Sequence, residues 1–273
     1  MTGMGLCAPR SHEFGAPNTG SGRYFLGKHK TTVPVAVGFR YPFGSMRNVT
    51  VDDSIARLWR GAAVLTICEM TVDASEFASD SEFAGEVRGL EEELKALGKD
   101  VLQEGRVQAM RAMFRAMPDM DPTRYRPSSE ALVRRFSDSG FFRINPLVDT
   151  NNLLSARLRI PLGIYDLDRL PQSPWVYRIG QDGESYLTFS GQPKNAAGKL
   201  ILADSDGVFG SPVADSGRAS ISPETRHLAV VGYLPLDIAA GEADRVVGVI
   251  EDGFNRYFKP ISQGRQVILN PAL

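Results

Sequence analysis

The chain is poor in cysteine and histidine, and this scarcity excludes several kinds of site. Two of its 273 residues are cysteine and three are histidine. Cys7 and Cys68 are too few for a disulfide framework and too far apart for a metal-ligand spacing, so we expect a reducing cytoplasm and no metal. His12 and His29 lie near the amino terminus, and His227 opens a nearly all-apolar strand, where we expect a packed core residue. A Ser-His-Asp or Cys-His catalytic relay is therefore not predicted.

The sequence also lacks a charge excess, a long apolar run and a nucleotide-binding motif. The formal net charge of -1 does not indicate a nucleic-acid-binding protein, so no DNA partner is expected. Any contact with RNA must come from a local basic patch. No apolar run approaches the roughly 18 residues of a membrane span. No signal-peptide pattern is present. Phosphate-binding glycine loops and dinucleotide fingerprints are missing as well, so no cofactor is expected.

What remains divides into two regions. Residues 1–45 are rich in Gly, Pro, Ser and Thr, apart from a short apolar run at residues 32–39. We predict a disordered or poorly packed extension there, or an upstream start codon wrongly chosen. Residues 46–273 interleave helical and strand patterns, including a predicted hairpin that joins residues 176–179 to 186–189. This interleaving predicts an α+β class, with a mixed β-sheet core packed with helices in a single domain.

The segment from Arg143 to Leu170 organises the second region. Asn145 and Pro146 predict the start of a helix, because asparagine caps a free backbone amide and proline at the first helical position has no N–H to lose. Leucines at helical spacing give this helix one apolar face, and Asp149 and Asn152 lie on a different stripe. Such polar groups either brace the neighbouring backbone or line a site.

Several motifs in this region resemble the B3/B4 domain of the phenylalanyl-tRNA synthetase beta chain, and more closely the stand-alone B3/B4 proteins. The matching stretches are DPTRYRPSSEALVRR at residues 121–135, INPLVDTNN at 144–152, IPLGIYDLD at 160–168, and residues 200–204 and 220–231. They follow the family's order, and the resemblance covers most of the chain from Met46 onward. It implies the B3/B4 fold and an editing activity, the hydrolysis of the ester of a wrongly charged tRNA.

The resemblance also implies roles for particular residues. An aminoacyl ester is already activated, so a site needs only to orient water, stabilise an oxyanion and hold the ammonium group. Asn152 falls on the asparagine of the family's Thr-Asn pair, with Asn151 in place of the threonine, and we predict that Asn152 contacts the ester or the water. Asp149 either pairs with the ammonium group or caps backbone. The predicted substrate-binding residues are Asn145, Gly163, Tyr165, Asp166, Asp215, Ser216 and Thr225. The predicted tRNA- or anion-binding residues are Arg134, Arg135, Arg143 and Arg218, which Arg124 and Arg126 can join in a local basic face.

Three departures from the family pattern bear on the substrate. Gly163 stands where the family has a pocket histidine, and stand-alone members commonly have glycine there too. The family's glutamate that recognises a tyrosine hydroxyl falls near Val231, where this sequence has no acidic residue. Without that carboxylate we expect an apolar or small side chain to be preferred over tyrosine. The Arg-rich, Trp-containing segment of stand-alone members is replaced by residues 209–218, in which Asp215 and Ser216 persist.

Three functions follow from these observations. The first is a free-standing deacylase of mischarged aminoacyl-tRNA or of a related aminoacyl ester. The second is a non-catalytic module that binds tRNA or an aminoacylated carrier, which the missing histidine and glutamate favour. The third is a repurposed enzyme of specialised metabolism that modifies an amino acid.

Overall fold

The computed structural model describes residues 36–38, 46–73, 75, 77 and 80–273. The predicted extension, residues 1–45, lies outside the described residues except for Ala36–Gly38, which form strand β1. These three residues belong to the apolar run of the extension and pair antiparallel with the last strand of the chain. In the described ranges, no helix is both long enough and apolar enough to cross a bilayer.

The helices of the described residues begin and end where local chemistry favours it. They are α1 (Asp53–Ala56), α2 (Asp80–Leu97), α3 (Gly105–Arg115), α4 (Ser128–Asp138), α5 (Pro146–Leu158) and α6 (Ala240–Phe258). The predicted start of α5 is confirmed: Asn145 is its N-cap, and its Oδ1 accepts a hydrogen bond of 3.0 Å from the Val148 amide. Asp80 and Glu82 place negative charge at the positive end of the α2 dipole.

The strands of the described residues form three sheets. After β1 they are β2 (Val49–Val51), β3 (Ala63–Thr71), β4 (Leu162–Asp166), β5 (Trp175–Ile179), β6 (Ser185–Leu187), β7 (Pro193–Asn195), β8 (Leu200–Asp204), β9 (Gly207–Gly210), β10 (His227–Tyr233) and β11 (Ser262–Leu269). A five-stranded sheet has the order β1-β11-β3-β10-β4, a four-stranded sheet has the order β2-β5-β8-β9, and β6 pairs with β7. With these sheets and helices, the predicted α+β class is confirmed.

The five-stranded sheet is covered on both faces, as strand β10 shows. Its Leu228 and Val230 pack in the cluster that α2, α4, α5 and α6 share. Its Ala229 and Val231 belong to a second cluster, formed with α1, α3 and the four-stranded sheet. Successive side chains of a strand point to opposite faces, so a strand covered on both sides is apolar throughout. Strand β4 lies at the edge of this sheet, directly after α5.

The hairpin predicted from residues 176–179 and 186–189 is wrong. Strand β5 pairs with β8, where Val176 lies opposite Ala203, and it pairs in parallel with β2. The polar turn at Gln181–Glu184 exists, but the strand that follows it pairs with β7 instead. Strand β8 satisfies the backbone groups of β5 as well as β6 would. The residues of the turn alone do not distinguish pairing with β8 from pairing with β6.

Candidate functional site

The first turn of α5 holds a buried carboxylate. Asp149 is 1% exposed, and its Oδ2 accepts a hydrogen bond of 2.6 Å from Nε of Arg143. Its Oδ1 accepts a bond of 2.8 Å from the Ile144 amide. Arg143 also bonds Asp80 at 3.1 Å and lies 4.8 Å from the ring centre of Phe83. Both oxygens of Asp149 are therefore engaged in fixing the start of the helix.

The two asparagines at the middle of α5 have different surroundings. Asn151 is 4% exposed, and its Nδ2 donates a hydrogen bond of 3.2 Å to the carbonyl oxygen of Leu162 in strand β4. This bond satisfies a backbone group at the sheet edge, while Oδ1 of Asn151 has no partner within the described residues. Asn152 is half-buried, and its amide makes no hydrogen bond to any described residue. Of the pair, Asn152 is the one whose side chain makes no hydrogen bond within the described residues.

A hydrogen-bonded cluster lies on the opposite face of β4. The hydroxyl of Tyr165 donates to Oδ1 of Asp215 at 2.7 Å and lies 2.7 Å from the hydroxyl of Tyr233. Since the Tyr165 proton points to the carboxylate, Tyr233 donates the second bond. The Ser211 amide also donates to Oδ1 of Asp215, at 3.2 Å. Strand β4 and the loop after β9 thus meet at Asp215, and β10 joins them through the bond between Tyr233 and Tyr165.

This cluster fills the space beside Gly163. A Cβ atom at Gly163 would lie 2.0 Å from the Tyr165 hydroxyl oxygen, and one at Gly210 would lie 2.3 Å from the same atom. Val231 pairs with Gly163 across the two strands and is fully buried. The positions where the resemblance puts a histidine and a glutamate therefore face packed tyrosine. A side chain at residue 163 requires Tyr165 to move.

Burial raises the pKa of Asp215 to about 7, and the bonds from Tyr165 and Ser211 offset part of that rise. Burial and the neighbouring charge of Asp215 raise the pKa of Tyr165 and Tyr233 well above the ordinary value of tyrosine. Asp215 is only half-buried, and its Oδ2 makes no hydrogen bond to the described residues. Oδ2 is therefore the oxygen on which the protonated form of Asp215 carries its proton.

Asp166 and Thr225 are brought together at the end of β4. Thr225 donates to Oδ2 of Asp166 at 2.6 Å, and the Asp168 amide donates to Oδ1 at 3.0 Å. Both residues are buried and hold the loop that leads into β10.

The expectation that His227 is a core residue is wrong. Its side chain is 51% exposed, and its Nδ1 lies 2.9 Å from Oδ1 of Asp168, because the strand begins at the protein surface.

Ser216 and Arg218 brace the segment after Asp215. Ser216 is buried, and its Oγ accepts from the Arg218 amide at 3.4 Å. The Arg218 guanidinium bonds Oδ1 of Asp204 at 2.5 Å and the Gly207 carbonyl oxygen at 2.7 Å. It also lies over the ring of Phe209. These contacts hold the segment after Asp215 to strands β8 and β9.

Arg134 turns back along α4 to a buried glutamate. Its Nε and Nη2 both lie 3.0 Å from Oε1 of Glu130, whose side chain is 1% exposed. Arg111 and Arg126 approach the same carboxylate. This convergence on Glu130 was not predicted from the sequence, although the spacing of four residues to Arg134 is a signal for it. Arg135 is exposed and has no ion pair within the described residues.

The predicted site residues thus fall into separate groups. Asn145, Asp149 and Arg143 share the start of α5, whereas Tyr165, Asp215 and Gly163 share the tyrosine cluster. Thr225 joins Asp166, and Arg218 joins Ser216. Among the described residues, no three His, Cys, Asp or Glu side chains converge as ligands of a metal ion would. The roles predicted for these residues stay predictions.

The comparisons with known proteins place this arrangement in a family. A model of the B3/4 domain matches residues 111–268. The phenylalanine–tRNA ligase beta subunit of Bartonella henselae is 28% identical over 132 residues, which make up 48% of this chain and 16% of that protein. The corresponding subunit of Bradyrhizobium diazoefficiens is 29% identical over 133 residues, again 48% of this chain and 16% of that protein.

The chain therefore matches only about 16% of the length of these curated relatives. Among solved structures, an N-terminal fragment of the phenylalanyl-tRNA synthetase beta subunit from Pyrococcus horikoshii is 11% identical, with a TM-score of 0.40. That likeness covers 78% of this chain and 49% of the fragment. Since the family model spans more than half of the sequence, the chain belongs to the B3/4 domain family.

Proposed function

We propose that this protein binds the aminoacylated end of a tRNA in the cytoplasm through its B3/4 domain. The observation that carries the proposal is the match of the B3/4 family over residues 111–268. The curated relatives share with this chain about 16% of their length, so a function held in common with them lies within the shared domain. A tRNA ligase subunit handles tRNA, and the resemblance implies that its B3/B4 part handles the ester end.

Hydrolysis of that ester is the finer proposal, and Asn152 is the residue that favours it. An activated ester needs oriented water and hydrogen bonds to the developing oxyanion, and a side-chain amide supplies such a bond. Asp149 and the Nδ2 group of Asn151 are engaged by the fold. Asn152 alone of the three predicted catalytic residues keeps a half-buried amide without a partner among the described residues.

Binding without hydrolysis is the second candidate, and the packing around Gly163 favours it. The hydroxyl of Tyr165 occupies the space into which a side chain at residue 163 would point. Val231 leaves no carboxylate on the facing strand. A domain in which the space beside residue 163 is filled in this way lacks the groups that would distinguish one amino-acid side chain from another.

A panel of mischarged and correctly charged tRNAs tests both candidates. Release of the amino acid and binding of the tRNA are measured in parallel for the wild type and Asn152→Ala, whose folding is checked by urea denaturation. Turnover by the wild type that falls at least about tenfold in a folded Asn152→Ala supports hydrolysis by this site. Binding without turnover selects the second candidate. If the protein neither binds nor hydrolyses any charged tRNA, the proposal as a whole is refuted.

A further inference from the structure

A surplus of positive charge surrounds one buried carboxylate at the start of α4. Glu130 is ion-paired with Arg111 at 3.1 Å, with Arg126 at 3.6 Å and with Arg134 at 3.0 Å. These arginine side chains remain 23%, 48% and 35% exposed, whereas that of Glu130 is 1% exposed. One carboxylate balances one guanidinium, so two positive charges of this group are left to face solvent. The positive end of the α4 dipole adds to them.

Two further arginines continue this surface. Arg115, in the last turn of α3, and Arg124, in the loop before α4, are both exposed. Neither forms an ion pair with a carboxylate of the described residues. The bonds from Thr123 lower the pKa of Asp121, and the nearby charges of Arg124 and Arg115 lower it further. Arg115 follows Arg111 by one turn of α3, so the two side chains share a helix face, and Arg124 lies two residues before Arg126.

An aromatic side chain and two lysines border this surface, and one of the lysines, Lys199, is buried. The Lys199 ammonium nitrogen lies 4.8 Å from the ring centre of Tyr125, in the same loop as Arg124. Lys194 and Lys199 line one small cavity together with Tyr125. We define the basic face as Arg111, Arg115, Arg124, Arg126, Arg134 and Lys194. Glu130 and Asp121 lie among these six cations, and Asp119 contacts Gly198.

We infer that the basic face binds the phosphodiester backbone of an RNA strand. The inference rests on the proposed function and gives it a location. Six cations on a chain whose formal net charge is -1 make a local patch, and neutralising backbone phosphates releases the counterions that such a strand carries. Guanidinium groups suit phosphate oxygens because they offer several N–H donors in one plane.

The test measures binding of a fluorescently labelled tRNA transcript to the full-length chain at several salt concentrations. The informative variant is Arg115→Gln/Arg124→Gln, which removes two exposed cations and leaves the Glu130 group intact. Its matched control is Arg88→Gln/Arg245→Gln, which removes two exposed arginines from α2 and α6. Each phosphate that the variant no longer neutralises is expected to reduce the slope of log affinity against log salt by about 0.7 to 0.9. At low salt we expect the first pair to weaken binding roughly 5- to 20-fold.

The outcomes separate this inference from the proposed function. A reduced slope and affinity in Arg115→Gln/Arg124→Gln, with little change in the control pair, supports RNA binding at the basic face. If both pairs weaken binding equally, or neither does, while the wild type binds tRNA, the basic face is not the site and the proposed function stands. Absence of any tRNA binding by the wild type overturns both.

Discussion

The hydroxyl of Tyr165 donates a hydrogen bond of 2.7 Å to Oδ1 of Asp215, a residue 50 positions further along the chain. The bond joins the edge strand of the five-stranded sheet to the loop after β9 of the four-stranded sheet. It holds the tyrosine ring against Gly163 and Gly210, where neither position has room for a Cβ atom. This contact fixes the Tyr165 ring between the two sheets.

Replacing Tyr165 with phenylalanine is expected to lower the free energy of unfolding by about 1 to 3 kcal/mol. The substitution leaves Oδ1 of Asp215 with one donor fewer and removes the acceptor of the Tyr233 hydroxyl, whose residue is fully buried. Urea denaturation measures the change.

Tyr177→Phe is the matched control for Tyr165→Phe. The Tyr177 hydroxyl is buried and has no hydrogen-bond partner among the described residues. Because the substitution breaks no hydrogen bond, it is expected to leave stability unchanged or slightly raised. Equal destabilisation in the two variants would show that the bond from Tyr165 to Asp215 contributes nothing.

Asp215→Asn is expected to change how stability depends on pH. Burial raises the pKa of Asp215 from 3.8 to about 7 in the folded protein, so between these values the folded state keeps a proton that the unfolded state has released. The wild type's free energy of unfolding therefore falls as pH rises through this window. Asparagine carries no such proton and still accepts the Tyr165 bond. The stability of Asp215→Asn relative to the wild type should then increase as pH rises from about 3.8 to about 7.

One pKa unit corresponds to about 1.4 kcal/mol. Since Asp215 is half-buried and partly solvated, we expect a total change of roughly 1 to 3 kcal/mol, less than the full shift would give. Chemical denaturation at a series of pH values measures it. A stability difference that stays constant across the series would mean that Asp215 ionises at its ordinary pKa.

Gly163→Ala is expected to destabilise the protein by about 1 to 3 kcal/mol, because the new methyl group would lie 2.0 Å from the Tyr165 hydroxyl oxygen. Gly89→Ala is its control. Residue 89 lies on the exposed side of α2 with nothing within 4 Å of the added atom, so this change should stabilise the helix by up to about 1 kcal/mol. Thermal unfolding compares the two variants, and a neutral Gly163→Ala would show that Tyr165 yields easily.

Local chemistry explains which features the sequence could predict. The Asn145 cap and the Pro146 start of α5 depend on neighbouring residues alone, and the structure confirms them. The pairing of Tyr165 with Asp215 could not be predicted in this way, since it depends on how two sheets pack. The surroundings of Asn151 likewise depend on β4 being an edge strand with a carbonyl left to satisfy. The ion pairs of Glu130 could be predicted only in part, because Arg111 lies on a different helix.

Glu130→Gln is expected to have opposite effects on stability and on RNA binding. The change removes the negative charge that three guanidinium groups share at 3.0 to 3.6 Å, so the free energy of unfolding should fall by about 2 to 4 kcal/mol. The same change adds one net positive charge to the basic face. If that face binds RNA, affinity for a tRNA transcript at low salt should rise by roughly two- to fivefold. Denaturation and fluorescence anisotropy measure the two effects.

Glu251→Gln provides the comparison, because it removes a carboxylate that bonds Arg265 at 2.9 Å on α6, where no residue of the basic face lies. It changes the net charge of the protein by the same amount. A gain in RNA affinity in both variants would trace the effect to net charge, and a gain in Glu130→Gln alone would trace it to the basic face. Unchanged or weaker binding by a folded Glu130→Gln would mean that the three arginines serve the buried carboxylate and contact no phosphate.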